Sequence, residues 1–486
     1  MVIRTFFDKN NTIIYNDLTN TGKNPITELF YGGNVGGETY SRFLFHFDET
    51  RLRDLYQNYT ICDLSKLTHK IRMTNTGAFD TDLLGTSTCS GKKRACSFDL
   101  MLFQLEEDWD EGNGYDYGAC SYLSPCASSI ATCPSNWAEA KTNTPWNEYG
   151  AYSGSSSAIT ITSQHFEEGN ENIEFDVTDV VNAIITGDTN YGFGIGFPST
   201  YEALATNDLE YVGFFTRHTQ TFYEPFLESI YDNPIRDDRA NFYLDKVNKL
   251  YLYSNIGGEP TMLDHLPDLT ITDGNGDVIT TYSSDTLSCS GITMTGSVVS
   301  NVTCVSRGVY SAEVFIPSSD YPDGDCIDFT DTWSDICING IQRPDVELSF
   351  IIKDPSGYYN IGDNDELPKK YGFKVTGIKQ GENIKRGDVR RVNISAKIPY
   401  TVNQTEIIDN LQYRLYVKEG KNQYTVIDFQ DVNRTYNSNY FYIDTASLIP
   451  NTYYLDVKVE SHNEVTTLSE ALSFDIVSQV ELRKSQ

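Results

Sequence analysis

Between Phe175 and Phe197 the period of the sequence changes, and that change limits what the chain can fold into. Phe175-Asp-Val-Thr-Asp-Val-Val-Asn-Ala-Ile-Ile-Thr186 sets Val180, Val181, Ile184 and Ile185 on one helical face. Asp176 or Thr178 can cap the start, because a short side-chain oxygen accepts a bond from an orphaned N–H of the first turn. Gly187 supplies a left-handed stop. Tyr191, Phe193, Ile195 and Phe197 then alternate with glycines, at the two-residue period of a strand. Everything around this stretch reads as strands, so one short helix feeding a glycine-rich strand predicts a plug at one end of a β-sandwich.

Composition agrees with an all-β class. Aromatic residues make up 13% of the 486, with 33 Tyr and 25 Phe against 5 Met, a bias towards strand formers. A formal charge of −31 excludes binding of nucleic acid through phosphates, since no basic stripe is available to release counterions. Lys92-Lys-Arg94 and the group Arg386, Arg390 and Arg391 read as solvated faces. The acidity suits solubility at high copy number ahead of an electronegative binding surface. Met1 to Asn10 lacks the apolar core of a secretion leader, and no apolar run reaches the roughly 20 residues that span a bilayer, so neither a cleaved leader nor membrane insertion is expected.

Ten cysteines stand at 62, 89, 96, 120, 126, 133, 289, 304, 326 and 337. The even count and short local spacings suit disulfides in an oxidising place, against which stands the missing leader. No Cys-x-x-Cys pair occurs, and His69 lies beyond ligand spacing from Cys62, so a zinc site is not expected. Cys89 with Cys96 and Cys326 with Cys337 are the expected pairs.

Three units follow from the strand pattern: residues 1–235, 236–365 and 366–486. In the first, Phe43, Phe45 and Phe47 share one strand face and His46 points to the other, away from any role as a base. Ser97 to Leu105 is apolar on both faces, as a strand between covered layers should be. In the second, Leu269 to Thr280 predicts a hairpin across Asp273-Gly-Asn-Gly-Asp277. The third carries strands near residues 371–377, 392–398, 411–417, 453–459 and 472–477, the spacing of an immunoglobulin- or fibronectin-like module.

Candidate chemistry is sparse. The Asp273 turn lacks the glycine and glutamate that a calcium loop needs at Val278 and Ser284. The loop from Glu106 to Asp116 is richer in oxygen ligands: Asp108, Asp110, Glu111, Asn113 and Asp116 could hold a hard cation such as calcium, the alternative being a solvated acidic loop. Trp109, Trp137 and Trp146 fall in the same loop-rich region. They read as aromatics packed over the open end of the sandwich, or as an exposed stacking platform for a sugar or base. No Gly-x-Ser-x-Gly elbow, catalytic cysteine signature or phosphate-cradling glycine loop occurs, so no catalytic residue is expected.

Several of these pieces together resemble one family. Ser41-Arg-Phe-Leu-Phe-His-Phe-Asp48, Trp109-Asp-Glu-Gly112, Asn136-Trp137, Trp146 with Gly150, Phe175-Asp-Val-Thr178, Asn190-Tyr-Gly-Phe-Gly-Ile195 and Phe214-Phe-Thr-Arg217 followed by Glu224-Pro-Phe-Leu227 look like the ordered motifs of DNRLRE-type domains. These are jelly-roll sandwiches of bacterial surface and phage virion proteins. The chain further resembles the tail-associated structural proteins of crAss-like bacteriophages, in which a jelly roll precedes small immunoglobulin-like modules.

The resemblance implies an all-β fold: an N-terminal jelly-roll β-sandwich with one short helix, followed by two small immunoglobulin-like β-sandwich modules. It further implies a virion structural protein of the tail or neck, a hub or collar component. Such a protein is made in the host cytoplasm and is present in several copies against ring, hub or portal-adjacent proteins. It implies no cofactor and no sugar site, and the cysteines and the loop from Gly112 to Asn136 depart from its pattern. The alternative function is a carbohydrate-binding adhesin or fibre contacting the host surface, with a depolymerase as a third.

Overall fold

The computed structural model describes residues 1–18, 20–32, 39–77, 92–95, 97–114, 135–152, 160–204, 209–232, 234–237, 239, 242–282, 302–320, 326–353, 372–397, 405–406, 408, 410–435, 438–461 and 464–478. They are built almost wholly of strands, so the all-β expectation holds. The chain divides into two compact units: Val2–Asp54 with Leu67–Tyr231, and Met1 and Leu55–Lys66 with Asp232–Gln486. Residues 55–66, inside the first expected domain by sequence, thus group with the second unit.

The first unit runs β1 (Val2–Ile14), β2 (Ile26–Gly32), β3 (Ser41–Phe47), the start of α1 (Thr50–Gln57), β4 (Leu67–Met73), β5 (Lys92–Arg94) and β6 (Phe98–Gln104). It continues through β7 (Glu139–Lys141), β8 (Thr144–Pro145), β9 (Thr160–Phe166), β10 (Ile173–Asp176), α2 (Thr178–Thr186), β11 (Phe193–Gly196), α3 (Ser199–Glu202), β12 (Leu209–Phe215) and β13 (Phe226–Tyr231). Eight strands form one sheet in the order β10-β4-β13-β1-β3-β11-β6-β9, and β2-β12-β5 form another. β1 serves two neighbours in turn: Val2 to Phe6 pair with β13, and after an irregularity between Phe7 and Lys9 the remainder pairs with β3. A break of this kind bends a strand and increases its twist, which lets one long strand hold two arms of the sheet.

The expected phenylalanine face is the core. Phe7 stacks on Phe45 with ring centroids 4.3 Å apart, Phe193 lies 5.6 Å from both Phe45 and Phe47, and Phe98 stacks on Phe166 at 5.0 Å. β11 sits between β3 and β6, so its Phe193 and Ile195 bury on one face while Gly194 leaves room on the other. A Cβ on Gly194 would stand 2.1 Å from Cζ of Phe103, and the glycine alternation is therefore the space that Phe103 occupies.

The single expected helix is corrected to three among the described residues. α2 forms where predicted, with Val181, Ile184 and Ile185 buried, and Gly187, at φ 141°, donates its N–H to the Ala183 and Ile184 carbonyls. The capping differs in detail: Val177 occupies the boundary, while the Asp176 carboxylate accepts from the Thr178 N–H at 3.0 Å and from its hydroxyl at 2.7 Å. α1 starts in the same way, the Asp48 carboxylate accepting from the Thr50 N–H at 2.9 Å and from its hydroxyl. In both places a strand ends in Phe-Asp-x-Thr and a helix begins, because an Asx turn satisfies the first orphaned donor. Arg53 on α1 then donates to the Ile184 and Asp188 carbonyls at the end of α2.

The second unit holds two smaller sandwiches. One pairs the sheet Phe242–Tyr243, Val346–Lys353, Cys326–Ser334, Asp268–Asp273, Val278–Tyr282 with the sheet Val247–Tyr253, Val309–Phe315, Thr303–Ser306. Their shared core contains Leu250, Leu269, Tyr310, Trp333 and Phe350, and Cys62 belongs to it. The predicted hairpin is present, its turn held by the Asp273 carboxylate accepting from the N–H groups of Asn275 and Asp277, both at 2.9 Å. The other sandwich joins a sheet of Gly372–Thr376, Val389–Lys397, Ser438–Asp444 and Asn433–Thr435 to a sheet of Glu382–Lys385, Glu464–Val477, Asn451–Ser461, Asn410–Glu419 and Asn422–Asp431. Tyr413 and Phe441, one from each sheet, stack with centroids 3.8 Å apart.

Candidate functional site

One buried polar cluster of the first unit is built on Arg42 of β3. Its Nε and Nη2 each donate to one carboxylate oxygen of Glu202 at 2.8 Å, and its Nη1 donates to the carbonyls of Gly150 and Tyr152 at 2.9 and 3.0 Å. The two side chains are 4% and 7% exposed. The guanidinium also lies 5.1 to 5.4 Å from the ring centroids of Trp137, Tyr152 and Tyr40. Arginine suits such a place because its planar fork meets a carboxylate bidentately while its face rests on aromatic rings. Through these bonds the cluster joins β3, α3 and the turn at Gly150.

The acidic loop is a second fastening. Glu111 accepts from Arg217 at 2.7 Å, His218 at 3.0 Å, the Asn10 N–H at 3.1 Å and Lys23. Burial alone would raise its carboxyl, but the hydrogen bonds from Lys23, Arg217 and His218 outweigh that and hold it below the usual carboxylate range. Asp108 pairs with Lys9 and Lys141 instead, and these cations likewise overcome its desolvation and lower it. Asp110 and Asn113 are exposed, and Asp116 lies outside the described residues. Among the described candidates, Asp108 and Glu111 are thus engaged by different cationic side chains, whose charge would repel a metal. Among the described residues no group of three or more His, Cys, Asp or Glu side chains is placed to hold a metal ion.

The three tryptophans are packing residues. Trp109, Trp137 and Trp146 are 0%, 6% and 4% exposed, which removes the stacking platform considered from sequence. The Trp109 indole donates to the Tyr191 carbonyl at 3.0 Å and that of Trp146 to the Asn136 carbonyl at 2.8 Å. Trp137 meets Tyr15 and Tyr40 edge-on at 5.1 and 5.3 Å, and its carbonyl accepts from the Gly150 N–H at 2.8 Å. A buried indole needs a partner for its N–H, and the carbonyls supply one.

The remaining motif residues do similar work. Asn190 donates to the Phe47 carbonyl and to Glu49, both at 2.9 Å, and Arg217 donates its backbone N–H to Asn10 at 3.1 Å. His46 turns away from the core to Asp8, 2.6 Å off. His69, considered in the sequence only as a zinc ligand, is fully buried on β4 with its Nδ1 2.8 Å from the Ser229 hydroxyl. Burial pushes its imidazole down to about 4, against the opposing pull of Asn182 and Asp176, so it is neutral at physiological pH.

In the second unit, Asp331 is buried beneath Arg239, which donates to both its oxygens, and it accepts from the Trp333 indole at 2.7 Å. The Cys337 thiol donates to Asp264 at 3.1 Å, and the side chain of Cys326, its expected partner, lies outside those described. Cys89 and Cys96 lie outside the described residues. An open depression beside Val375, Ile378 and Leu472 contains Gln380 and Glu382, but Gln380 is engaged by Ser473 and Glu382 by the Lys379 N–H. Sequence reasoning missed Arg42 with Glu202 and Asp331 with Arg239, because partners 160 and 92 positions apart leave no local pattern.

No family model and no curated protein matches this sequence. Among solved structures the chain is similar to the fibronectin(III)-like modules of CbhA from Clostridium thermocellum, at 8% identity and a TM-score of 0.16 over 51% of this chain and 93% of that one. It is similar to tandem immunoglobulin domains of titin at 10% and 0.16, covering 51% and 95%. A DUF4785 family protein from Legionella pneumophila is similar at 9% and 0.17, covering 97% of this chain and 92% of that one. At such TM-scores these likenesses carry no argument about function.

Proposed function

We propose that the chain is a structural component of a bacteriophage virion, in the tail or neck, present in several copies and bound to other virion proteins. One observation supports this reading above the rest: the residues that carry the family resemblance, Arg42, Trp109, Glu111, Trp137, Trp146, Asn190 and Arg217, each make hydrogen bonds within their own unit. What a chain fastened in this way offers outward is loops and sheet edges. Val247–Tyr253 and Asn422–Asp431 end the strand orders of their sheets, positions where a neighbouring strand can add. A charge of −31 keeps copies apart before assembly. The adhesin reading loses its support with the burial of the three indoles.

The test is to locate the protein in purified particles by labelling it and imaging. A label at the tail or neck supports the proposal. Particles that lack the protein, yet assemble and infect normally, would sink it.

A further inference from the structure

The sulfurs of Cys62 and Cys304, 242 positions apart in sequence, lie 2.7 Å apart inside the second unit. Cys62 follows the end of α1, where Thr60 and Ile61 both donate their N–H groups to the Leu55 carbonyl. Cys304 lies on the strand Thr303–Ser306, opposite Tyr310. The two residues are 7% and 3% exposed and share the apolar core with Leu263, Tyr310 and Trp333. Two sulfurs this close are inside van der Waals contact, and a small closing movement brings them to the roughly 2.05 Å of an S–S bond. Among the described residues no third ligand stands by them to make the pair a metal site.

We propose that Cys62 and Cys304 are the two halves of one disulfide, formed by exchange with a small-molecule disulfide such as oxidised glutathione as the chain folds. The thiolate of one cysteine attacks the oxidant, breaking its S–S bond and releasing one thiol. The second cysteine then displaces the other thiol from the mixed disulfide. One S–S bond is lost and one is made; the two electrons and the two protons from the cysteines end on the released thiols. The bond ties residues 55–66 covalently to the sandwich with which they pack.

The test uses the full chain, refolded with oxidised glutathione, alkylated in denaturant and digested without reductant. A peptide pair joining Cys62 to Cys304 is expected, vanishing on reduction, retained in Cys337→Ser and absent from Cys62→Ala. Reduction should lower the melting temperature of the second unit by roughly 5 °C or more, as breaking a long closed loop does. Recovery of both cysteines alkylated after oxidation, or of either joined to a different cysteine, overturns the assignment.

Discussion

Arg42 and Glu202 meet as a buried bidentate pair, with both N–H···O distances 2.8 Å and the remaining guanidinium donors directed at the Gly150 and Tyr152 carbonyls. The pair explains three features of the sequence at once. Glu202 sits at the end of a four-residue helix that has little stability of its own; Gly150 must bring its carbonyl inward; and Gly196 leaves space beside the Arg42 methylenes, 3.1 Å from where a Cβ would stand.

Breaking this pair from one side should cost far more than removing it whole. Glu202→Leu and Arg42→Met each leave a buried charge without its partner and are expected to destabilise the first unit by about 3–5 kcal/mol. Arg42→Met with Glu202→Leu should cost less than the sum of the two single changes. Urea denaturation of the four proteins measures this, and strictly additive losses would contradict the coupling.

Asp176→Ala should destabilise the first unit by about 1 kcal/mol, because the Thr178 N–H loses its acceptor at the start of α2. Asp48→Ala should do the same at α1, where the carboxylate makes the equivalent contact. Asn at either position keeps an acceptor oxygen and should retain most of the stability. Equal losses for Ala and Asn at Asp176 would mean that charge, not the turn, matters there.

These aspartates mark the limit of what the sequence discloses. α2 is legible from the periodic Val181, Ile184 and Ile185, whereas α1 has only the short stripe Leu52, Leu55 and Tyr56, of which Leu52 alone is buried. Its signal is the repeated Phe-Asp-x-Thr, which is local and therefore available in the sequence once its physical role is known. The phenylalanine faces of β3 and β11 follow from strict alternation. The partners of Arg42, Glu111 and Cys62 do not, since they depend on which strands the fold brings together.

Gly194→Ala tests the reading of the glycine alternation as space for a ring. The new methyl would meet Phe103 at 2.1 Å, inside a sheet with strands on both sides, so a loss of about 1–3 kcal/mol is expected. Phe103→Leu introduced alongside should recover part of it. A Gly194→Ala protein with an unchanged melting temperature would show that the ring moves aside freely.

His69 should make the first unit sensitive to mild acid. Its folded value is about 4 against an ordinary value near 6.5, so between those limits the unfolded chain binds a proton that the folded chain refuses. Stability is full above pH 6.5 and falls as the pH drops towards 4, by on the order of 3 kcal/mol in total. Denaturant midpoints from pH 7 to pH 4 measure the slope, and His69→Gln should flatten it. A slope unchanged in that variant would move the acid sensitivity to another group.

Glu111 separates the two readings of the acidic loop. It holds the loop through the cations Lys23 and Arg217 and the imidazole of His218, all already in place, so neither calcium nor a chelator should shift the melting temperature. Glu111→Gln should instead destabilise the first unit by about 2 kcal/mol or more by leaving those cations without their shared acceptor. A calcium-dependent rise in melting temperature that disappears in Glu111→Gln would reverse this assignment, because a hard cation can gather the loop only by taking the carboxylate away from all three of its partners.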